Sequence, residues 1–394
     1  GRADASAEDD AGPKEPFDPR EDCEIVEERG ELARAVSFSD ESGFALTPGL
    51  TGFGVAYQSD NCGAISVLPV ASLGDYPEPK TLFPNCETIA QGVSLLYHGE
   101  GYRLRWVDNA SGSGELQSLQ LPSSLALPAN PERSTLTNNV VRELAPVQAS
   151  FASNAYLAWI SQAGAERSIL LQGSAASEPR TLIAADAEYA PTRLALSQLG
   201  NSTGALAFVS EAKKPGVYLL PLTAEGEPRG EPMQLTAAVS AGNTVDIATR
   251  AEDGGAVIYS LNLGERREIR FRRLSTDGEL ISDEIKVVSF PLEGRDASIS
   301  RLGGGYVVAF RSLLADDPNR AEVRVTFLTK EGNLQRDSAG NVASYVIAET
   351  SATGGRLTAR VSQDGQLLVG FLDTSAGDQG AQFRLIRKRL ECAL

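Results

Sequence analysis

An all-β fold, a single β-propeller built most simply of seven four-stranded blades, is predicted by three observations. Strand-forming residues come in brief runs broken by Gly, Asp, Asn, Ser and Pro. Those runs repeat at a period of about 50 residues, the spacing of propeller blades. The last copy is one strand short, and the opening of the chain carries a segment able to supply that strand.

The composition sets the frame. Of 394 residues, 42% are hydrophobic, enough for a sizeable core, yet no apolar run approaches the ~18 residues of a membrane helix. The formal charge is −16, from 52 acidic and 36 basic residues. A field of that sign repels phosphate backbones, so no nucleic-acid partner is expected. Residues 1–22 are small, acidic and Pro-bearing, and cannot bury enough apolar surface to offset their ordering entropy. They are expected to form a disordered tether, leaving 23–394 as the propeller domain. Met233 is the lone methionine, so residue 1 is not expected to be a translation start.

The repeat is clearest in the middle of the chain. In one copy, Ala256 to Tyr259 and Glu268 to Leu274 read as strands, and a Thr276-Asp277-Gly278 turn leads to a third ending at Val287, Val288 and Ser289. Asp-Gly between two strand patterns is a hairpin signal. The next copy has Tyr306 to Phe310, Val323 to Leu328, a Lys330-Glu331-Gly332 turn and a strand near Tyr345. The preceding one has Ala205 to Val209, Val217 to Leu222, Ala224-Glu225-Gly226 and Met233 to Leu235. Weaker copies begin near Phe53, Val93, Ala155 and Leu367. One more short strand precedes several copies, as in Val245 to Thr249, Ala297 to Ser300 and Leu357 to Val361. Each unit is therefore four antiparallel strands, and stacked neighbours complete its core. Six or eight blades bracket the count, and a β-sandwich pair or a right-handed solenoid is the structural alternative.

The final copy ends after Leu367 to Phe371 and Gln382 to Leu390, without an outermost strand. Glu28-Arg29-Gly30-Glu31-Leu32 followed by Val36-Ser37-Phe38 resembles the turn and strand at Asp277-Gly278-Glu279-Leu280 and Val288-Ser289-Phe290. The N-terminal segment is thus expected to clasp the ring and remove its open edges. Four cysteines, none in a C-x-x-C pair, argue against a zinc or redox site. Their three connectivities are not separable by spacing, but the clasp brings Cys23 to Cys392 and leaves Cys62 to Cys86. Such bonds imply an oxidising, extracytoplasmic compartment.

The order Gly-Gly, apolar strand ending in Ser, polar loop, aromatic-bearing strand, Asp-Gly turn and final strand, over roughly residues 24–392, resembles the degenerate repeats of bacterial secreted and lipoprotein β-propellers. The resemblance implies a surface location, with a possible lipid anchor upstream of residue 1. Repeated Trp-Asp pairs and a quinone-docking Trp pattern are absent, since Trp106 and Trp159 are the two tryptophans.

Candidate sites are few. Gly200-Asn201-Ser202-Thr203-Gly204 fits G-x-S-x-G, but its flanks are strands and the sole histidine, His98, lies upstream, so a turn is expected. His98, in Tyr97-His98-Gly99-Glu100-Gly101-Tyr102, reads as a solvated hairpin residue. One histidine excludes multi-His metal sites and leaves at most a lone general base. A Ser-x-Asp-x-Gly box is incomplete at Ser275-Thr276-Asp277-Gly278 and at Ser362-Gln363-Asp364-Gly365. Arg250, Arg301 and Arg360 recur late in three successive innermost strands, and such a cluster is able to grip a carboxylate. Asp316-Asp317-Pro318-Asn319 and Asp373 to Asp378 lack calcium-loop spacing. Pro122 to Asn139 is the longest connection, a recognition loop or a linker. No cofactor, metal or catalytic residue is assigned. The expected function is a binding or scaffolding propeller that presents loops to a protein or glycan at the cell surface. The alternative is a propeller enzyme acting on a glycan, of sialidase or other glycosidase or lyase type.

Overall fold

In the computed structural model the repeat becomes seven four-stranded antiparallel sheets, each a blade. The structure describes residues 23–392 except 37–42, 60–63, 72–74, 85–89, 111, 113, 129–130, 138–140, 175, 177, 186–187, 238–243, 251, 264–266, 289–292, 315, 338, 354–355 and 375–380. Strand β1 is Cys23–Ala35. Blade 1 comprises β2 (Phe44–Pro48), β3 (Phe53–Gln58), β4 (Ile65–Val70) and β5 (Lys80–Leu82). Blade 2 comprises β6 (Ala90–His98), β7 (Gly101–Asp108), β8 (Glu115–Pro122) and β9 (Ser134–Thr135). Blade 3 comprises β10 (Arg142–Phe151), β11 (Asn154–Ala163), β12 (Glu166–Gly173) and β13 (Arg180–Ile183). In blade 4 follow β14 (Tyr189–Gln198), β15 (Gly204–Lys213), β16 (Gly216–Leu222) and β17 (Met233–Thr236). In blade 5 follow β18 (Val245–Arg250), β19 (Gly254–Asn262), β20 (Arg267–Leu274) and β21 (Ile285–Val288). Blade 6 holds β22 (Glu293–Leu302), β23 (Gly305–Leu313), β24 (Arg320–Leu328) and β25 (Tyr345–Ser351). Blade 7 holds β26 (Leu357–Val361), β27 (Gln366–Asp373) and β28 (Gln382–Cys392). One weak copy starts elsewhere than the sequence suggests: Val93 lies in the innermost strand of blade 2, and the second strand there is β7.

The core is distributed. Among the described residues it forms seven hydrophobic clusters, each wedged between two neighbouring blades, including one between blade 7 and blade 1. The second strands show why. In β23, Tyr306, Val308 and Phe310 face blade 5, while Val307 and Ala309 face blade 7. Because side chains alternate along a strand, a strand buried on both faces reads as a continuous apolar run. That is the signal which marked each copy. The two tryptophans are fully buried, Trp106 between blades 1 and 2 and Trp159 between blades 2 and 3.

The recurring turns lock one blade to the previous one. After β16, β20 and β24 come Thr223 to Gly226, Ser275 to Gly278 and Thr329 to Gly332, with glycine φ of 75°, 85° and 89°. In each the opening hydroxyl caps the turn: the Glu227, Glu279 and Asn333 N–H groups donate to Thr223 Oγ1, Ser275 Oγ and Thr329 Oγ1 at 3.2, 3.0 and 3.2 Å. A Cβ on Gly278 would stand 2.7 Å from Pro221 Cβ in blade 4, and one on Gly332 2.7 Å from Ile285 Cδ1 in blade 5. Glycine is required there twice, for its left-handed backbone and for the close approach. The incomplete Ser-x-Asp-x-Gly box at Ser275 is one of these docking turns, and Ser362 to Gly365 repeats the geometry after β26.

Closure follows the expected plan. Strand β1 pairs antiparallel with β28, and the sheet order β1-β28-β27-β26 gives blade 7 its fourth, outermost strand. The turn expected at residues 28–32 is instead strand: one strand spans Cys23–Ala35, with bulges between Ile25 and Glu27 and between Glu28 and Glu31, while Ser37 and Phe38 lie outside the described residues. Cys23 stands opposite Cys392 in this register. The Cys23 N–H donates to Gln335 Oε1 at 3.0 Å, and its carbonyl accepts from Gln335 Nε2 at 2.9 Å and Tyr345 Oη at 2.8 Å, tying the clasp to blade 6. Cys62, Cys86 and the tether at 1–22 lie outside the described residues.

Gly278→Ala and Gly332→Ala are each expected to destabilise the fold by ~2 kcal/mol, through the positive φ and the clash with the preceding blade. Chemical denaturation checks this, with Gly99→Ala as the comparison, where φ is positive but a Cβ meets nothing within 4 Å.

Candidate functional site

The seven innermost strands, β2, β6, β10, β14, β18, β22 and β26, each touch the next around the axis, and β26 touches β2. They enclose a central channel. Adjacent inner strands do not pair through their backbones, so N–H groups along their edges need other acceptors. Side chains of the preceding blade provide them. Thr244 Oγ1 accepts from the Ala297 N–H at 3.1 Å, and Asp246 Oδ2 from the Ile299 N–H at 3.1 Å. Ser298 Oγ accepts from the Ala359 N–H and Ser300 Oγ from the Val361 N–H, each at 3.0 Å. Between blades 4 and 5, Ser197 Oγ lies 2.5 Å from Thr249 Oγ1. The channel wall is polar because these pins occupy it.

On the face carrying the turns between first and second strands, the channel opens into a cavity of about 720 Å³ to which all seven inner strands contribute. Its polar lining includes Ser150, Gln198, Ser300, Arg301, Arg360 and Gln363. Arg301 is exposed at this mouth, and its Nε donates to Gly303 O at 3.4 Å. Arg360 turns inward: Nη1 lies 3.2 Å from Asp246 Oδ2 and 3.1 Å from Ser298 Oγ, while Ser298 Oγ donates to Asp246 Oδ2 at 2.6 Å. Asp246, Ser298 and Arg360 thus link blades 5, 6 and 7 in one half-buried network. Arg250 ends β18, and its side chain lies outside the described residues.

Arg301 and Arg360, which recur at matching places in the sequence, do not stand at one level. The turns that follow differ in length. Arg250 pairs with Gly254, Leu302 with Gly305, and Val361 with Leu367, leaving three, two and five residues between. Arg360 accordingly meets blade 6 at Ser298, three positions before Arg301.

His98 is the hairpin residue that its glycine neighbours suggest, but it is half-buried where a solvated side chain is expected. It closes β6 opposite Gly101, and its Nδ1 lies 2.9 Å from Ser150 Oγ, a hydroxyl on the cavity wall. Burial, and then the Arg103 charge, hold its pKa below the usual 6.5. The G-x-S-x-G segment joins β14 to β15, and Thr203 Oγ1 donates to Thr276 O at 2.5 Å. In the Asp316 to Asn319 loop, Asp317 Oδ1 caps the Asn319 N–H at 2.9 Å. Asp373 is buried against Arg384 Nη1 at 2.8 Å, and residues 375–380 lie outside the described residues. Among the described residues no group of three or more His, Cys, Asp or Glu is placed to hold a metal. Pro122 to Asn139 is not a linker: it carries β9, and Leu125 is fully buried against the cluster between blades 1 and 2.

Sequence reasoning missed Asp246, Ser298 and Ser300. The signal available was a hydroxyl or carboxylate recurring inside otherwise apolar innermost strands.

Fold and channel define a seven-bladed β-propeller. No protein-family profile matches the chain, and neither does any curated protein. Among solved structures, the BP39L lectin from Burkholderia pseudomallei superposes with a TM-score of 0.59 at 15% identity, over 90% of this chain and 97% of that one. A prolyl endopeptidase gives 0.52 at 13% identity, over 88% of this chain but 47% of its own. A polysaccharide lyase, an ulvan lyase, gives 0.50 at 10% identity, over 89% of this chain and 95% of that one. At these identities the likeness is one of fold.

Asp246→Ala leaves Arg360, Ser298 and the Ile299 N–H without their shared acceptor and is expected to cost ~2–4 kcal/mol, measured by denaturant titration. For His98 the folded pKa lies below the unfolded one, so its contribution to stability is complete above pH 6.5 and declines as pH falls through the folded value. With one histidine in the chain, a single imidazole resonance reports this by NMR. Its titration midpoint is expected below 6.5, and Ser150→Ala is expected to move it.

Proposed function

We propose that this protein is an extracytoplasmic, glycan-directed β-propeller that takes its ligand at the mouth of the central channel. The observation that carries the reading is the cavity of about 720 Å³ to which all seven inner strands contribute, five of them with hydroxyl, amide, carboxylate or guanidinium groups. A rigid concave site with many convergent polar groups suits a hydroxyl-rich ligand, whose hydrogen bonds need fixed partners. The charge of −16 disfavours long polyanions at the outer surface. The fold is shared with a lectin and with a polysaccharide lyase, as well as with a prolyl endopeptidase, and so accommodates a glycan ligand.

A catalytic form of this reading is favoured by His98. A half-buried imidazole with a depressed pKa, one hydrogen bond from the cavity wall, is neutral at pH 7 and suited to accept a proton. The extracytoplasmic setting rests on Cys23 and Cys392. Directly opposed residues of an antiparallel pair lie ~4.5–5.5 Å apart at Cα, within disulfide reach, and the bond would close nearly the whole chain as one loop. Cys62–Cys86 is the second bond of this reading, and the anchor upstream of residue 1 belongs to it as well.

A glycan array probed with the purified protein is expected to give selective binding, weakened about tenfold or more by Arg301→Ala. An array without signal rejects the reading. Incubation of a bound glycan with wild type and His98→Gln separates the two forms: loss of turnover with retained binding supports catalysis, and no turnover by wild type leaves binding alone. Non-reducing peptide mapping is expected to return Cys23 joined to Cys392, and a Cys23–Cys62 peptide overturns the pairing.

A further inference from the structure

Ser150 and His98 stand at the ends of neighbouring inner strands, β10 of blade 3 and β6 of blade 2. Each strand is followed by a two-residue turn, since Phe151 pairs with Asn154 and His98 with Gly101. Ser150 lines the mouth cavity, and the imidazole reaches it from the other blade. Its hydroxyl has two acceptors in range, His98 Nδ1 at 2.9 Å and Asn154 O at 3.2 Å, and rotation about Cβ–Oγ turns the proton from one to the other. The nearer acceptor is a base. Burial, and then the Arg103 charge, disfavour its protonated form, so at pH 7 it is neutral, and with its own proton on Nε2 it is open at Nδ1.

The turn beside Ser150 is strained. Ala152 and Ser153 hold φ of 50° and 64°, the left-handed region that a two-residue hairpin ordinarily gives to Asn and Gly. Packing holds it there: Phe151 is buried, its ring centroid lies 4.1 Å from that of Tyr156, and a Cβ on Gly204 of blade 4 would stand 2.8 Å from its ring. Strain of this kind persists where the surroundings over-determine it, and it clusters where a reacting group is held in place. The cavity lining narrows the chemistry. Among the described residues Asp246 is its one carboxylate, and Arg360, Ser298 and the Ile299 N–H occupy it. Cleavage of a glycosidic bond between two carboxylates has no pair to work with in that lining. A hydroxyl backed by an imidazole suits attack on an acyl carbon.

We propose that Ser150 is a nucleophile activated by His98, and that the site removes O-acyl groups, held as carboxylic esters, from the saccharide bound at the mouth. The substrate class rests on the glycan reading, whereas the activated serine stands without it. Ser150 Oγ bonds to the ester carbonyl carbon while its proton passes to His98 Nδ1. The bond from that carbon to the sugar oxygen then breaks, and the imidazolium gives its proton to the sugar oxygen, releasing the deacylated saccharide. Water, losing a proton to Nδ1, attacks the acyl carbon in turn. The bond from Oγ to carbon breaks, Oγ recovers the proton, and the carboxylic acid leaves.

Labelling of the whole chain with a fluorophosphonate probe tests the serine without any saccharide. Mass spectrometry is expected to find the adduct on the Ser150 peptide, to miss it in Ser150→Ala, and to show it forming about tenfold or more slowly in His98→Gln. Circular dichroism checks both folds. If His98→Gln is unfolded, wild type treated with diethyl pyrocarbonate replaces it, because His98 is the sole histidine; labelling is expected to slow by the same factor and to recover with hydroxylamine. No adduct at Ser150, or equal rates with His98 intact and with it substituted or blocked, overturns the activated serine and leaves glycan binding untouched. Glucose pentaacetate is then expected to release acetate with wild type and not with Ser150→Ala. A labelled serine without acetate release overturns the ester assignment. A labelled serine in a protein that gives no signal on a glycan array supports the nucleophile and removes the glycan reading.

Discussion

Every blade of this propeller is apolar on both faces, and that constraint governs the rest. A four-stranded sheet with residues such as Tyr306, Val307, Val308, Ala309 and Phe310 in one strand cannot expose either side to water. Each blade therefore needs two neighbours, and the requirement is met for all seven only when blade 7 covers blade 1. The cluster joining Phe44, Phe53 and Tyr57 to Leu368, Phe383 and Leu385 is that contact. Leu32 of β1 belongs to the same cluster, so the clasp strand adds apolar cover as well as edge hydrogen bonds. Arg387 fastens the join further: its Nη1 donates to Ala71 O at 2.5 Å, and its guanidinium lies 5.2 Å from the Tyr76 ring.

A closed ring solves the face problem and creates another at the axis. Seven inner strands converge without pairing, and their edge N–H groups are too deep for bulk water to satisfy freely. The chain answers with hydroxyls and a carboxylate placed one blade back, at Thr244, Asp246, Ser298 and Ser300. These groups serve the backbone first. A polar channel is thus a consequence of closure, and a ligand site at its mouth draws on residues whose presence is already required by the fold.

The architecture was legible because its signals are periodic and local. Continuous apolar second strands mark burial on both faces, and the Thr223, Ser275 and Thr329 turns mark the docking of one blade on the last. Blade count and clasp follow from these. Boundaries fail where the period is disturbed: Val93 is apolar in an inner strand that imitates a second strand, and the bulges of β1 make one strand look like a turn and a strand. The connection Pro122 to Asn139 looks like a linker by composition, yet Leu125 inserts into a core that no local pattern reveals.

The site was legible only in part, and the arginines show why. Arg301 and Arg360 look equivalent along the chain, but axial level is set by the strand start and by the turn that follows, and those turns hold two and five residues. One arginine is left at the rim. The other is drawn to a carboxylate two blades away, because Ser298 stands between them as a bridge. Arg193 and Arg356 belong to no repeated pattern at all, yet they line the same cavity of about 200 Å³ deeper in the channel. Residues that recur hold blades together, whereas residues that converge on the axis are assembled from unrelated points of seven copies. Chemistry in such a fold is therefore written across blades, at a separation that no single stretch of sequence displays.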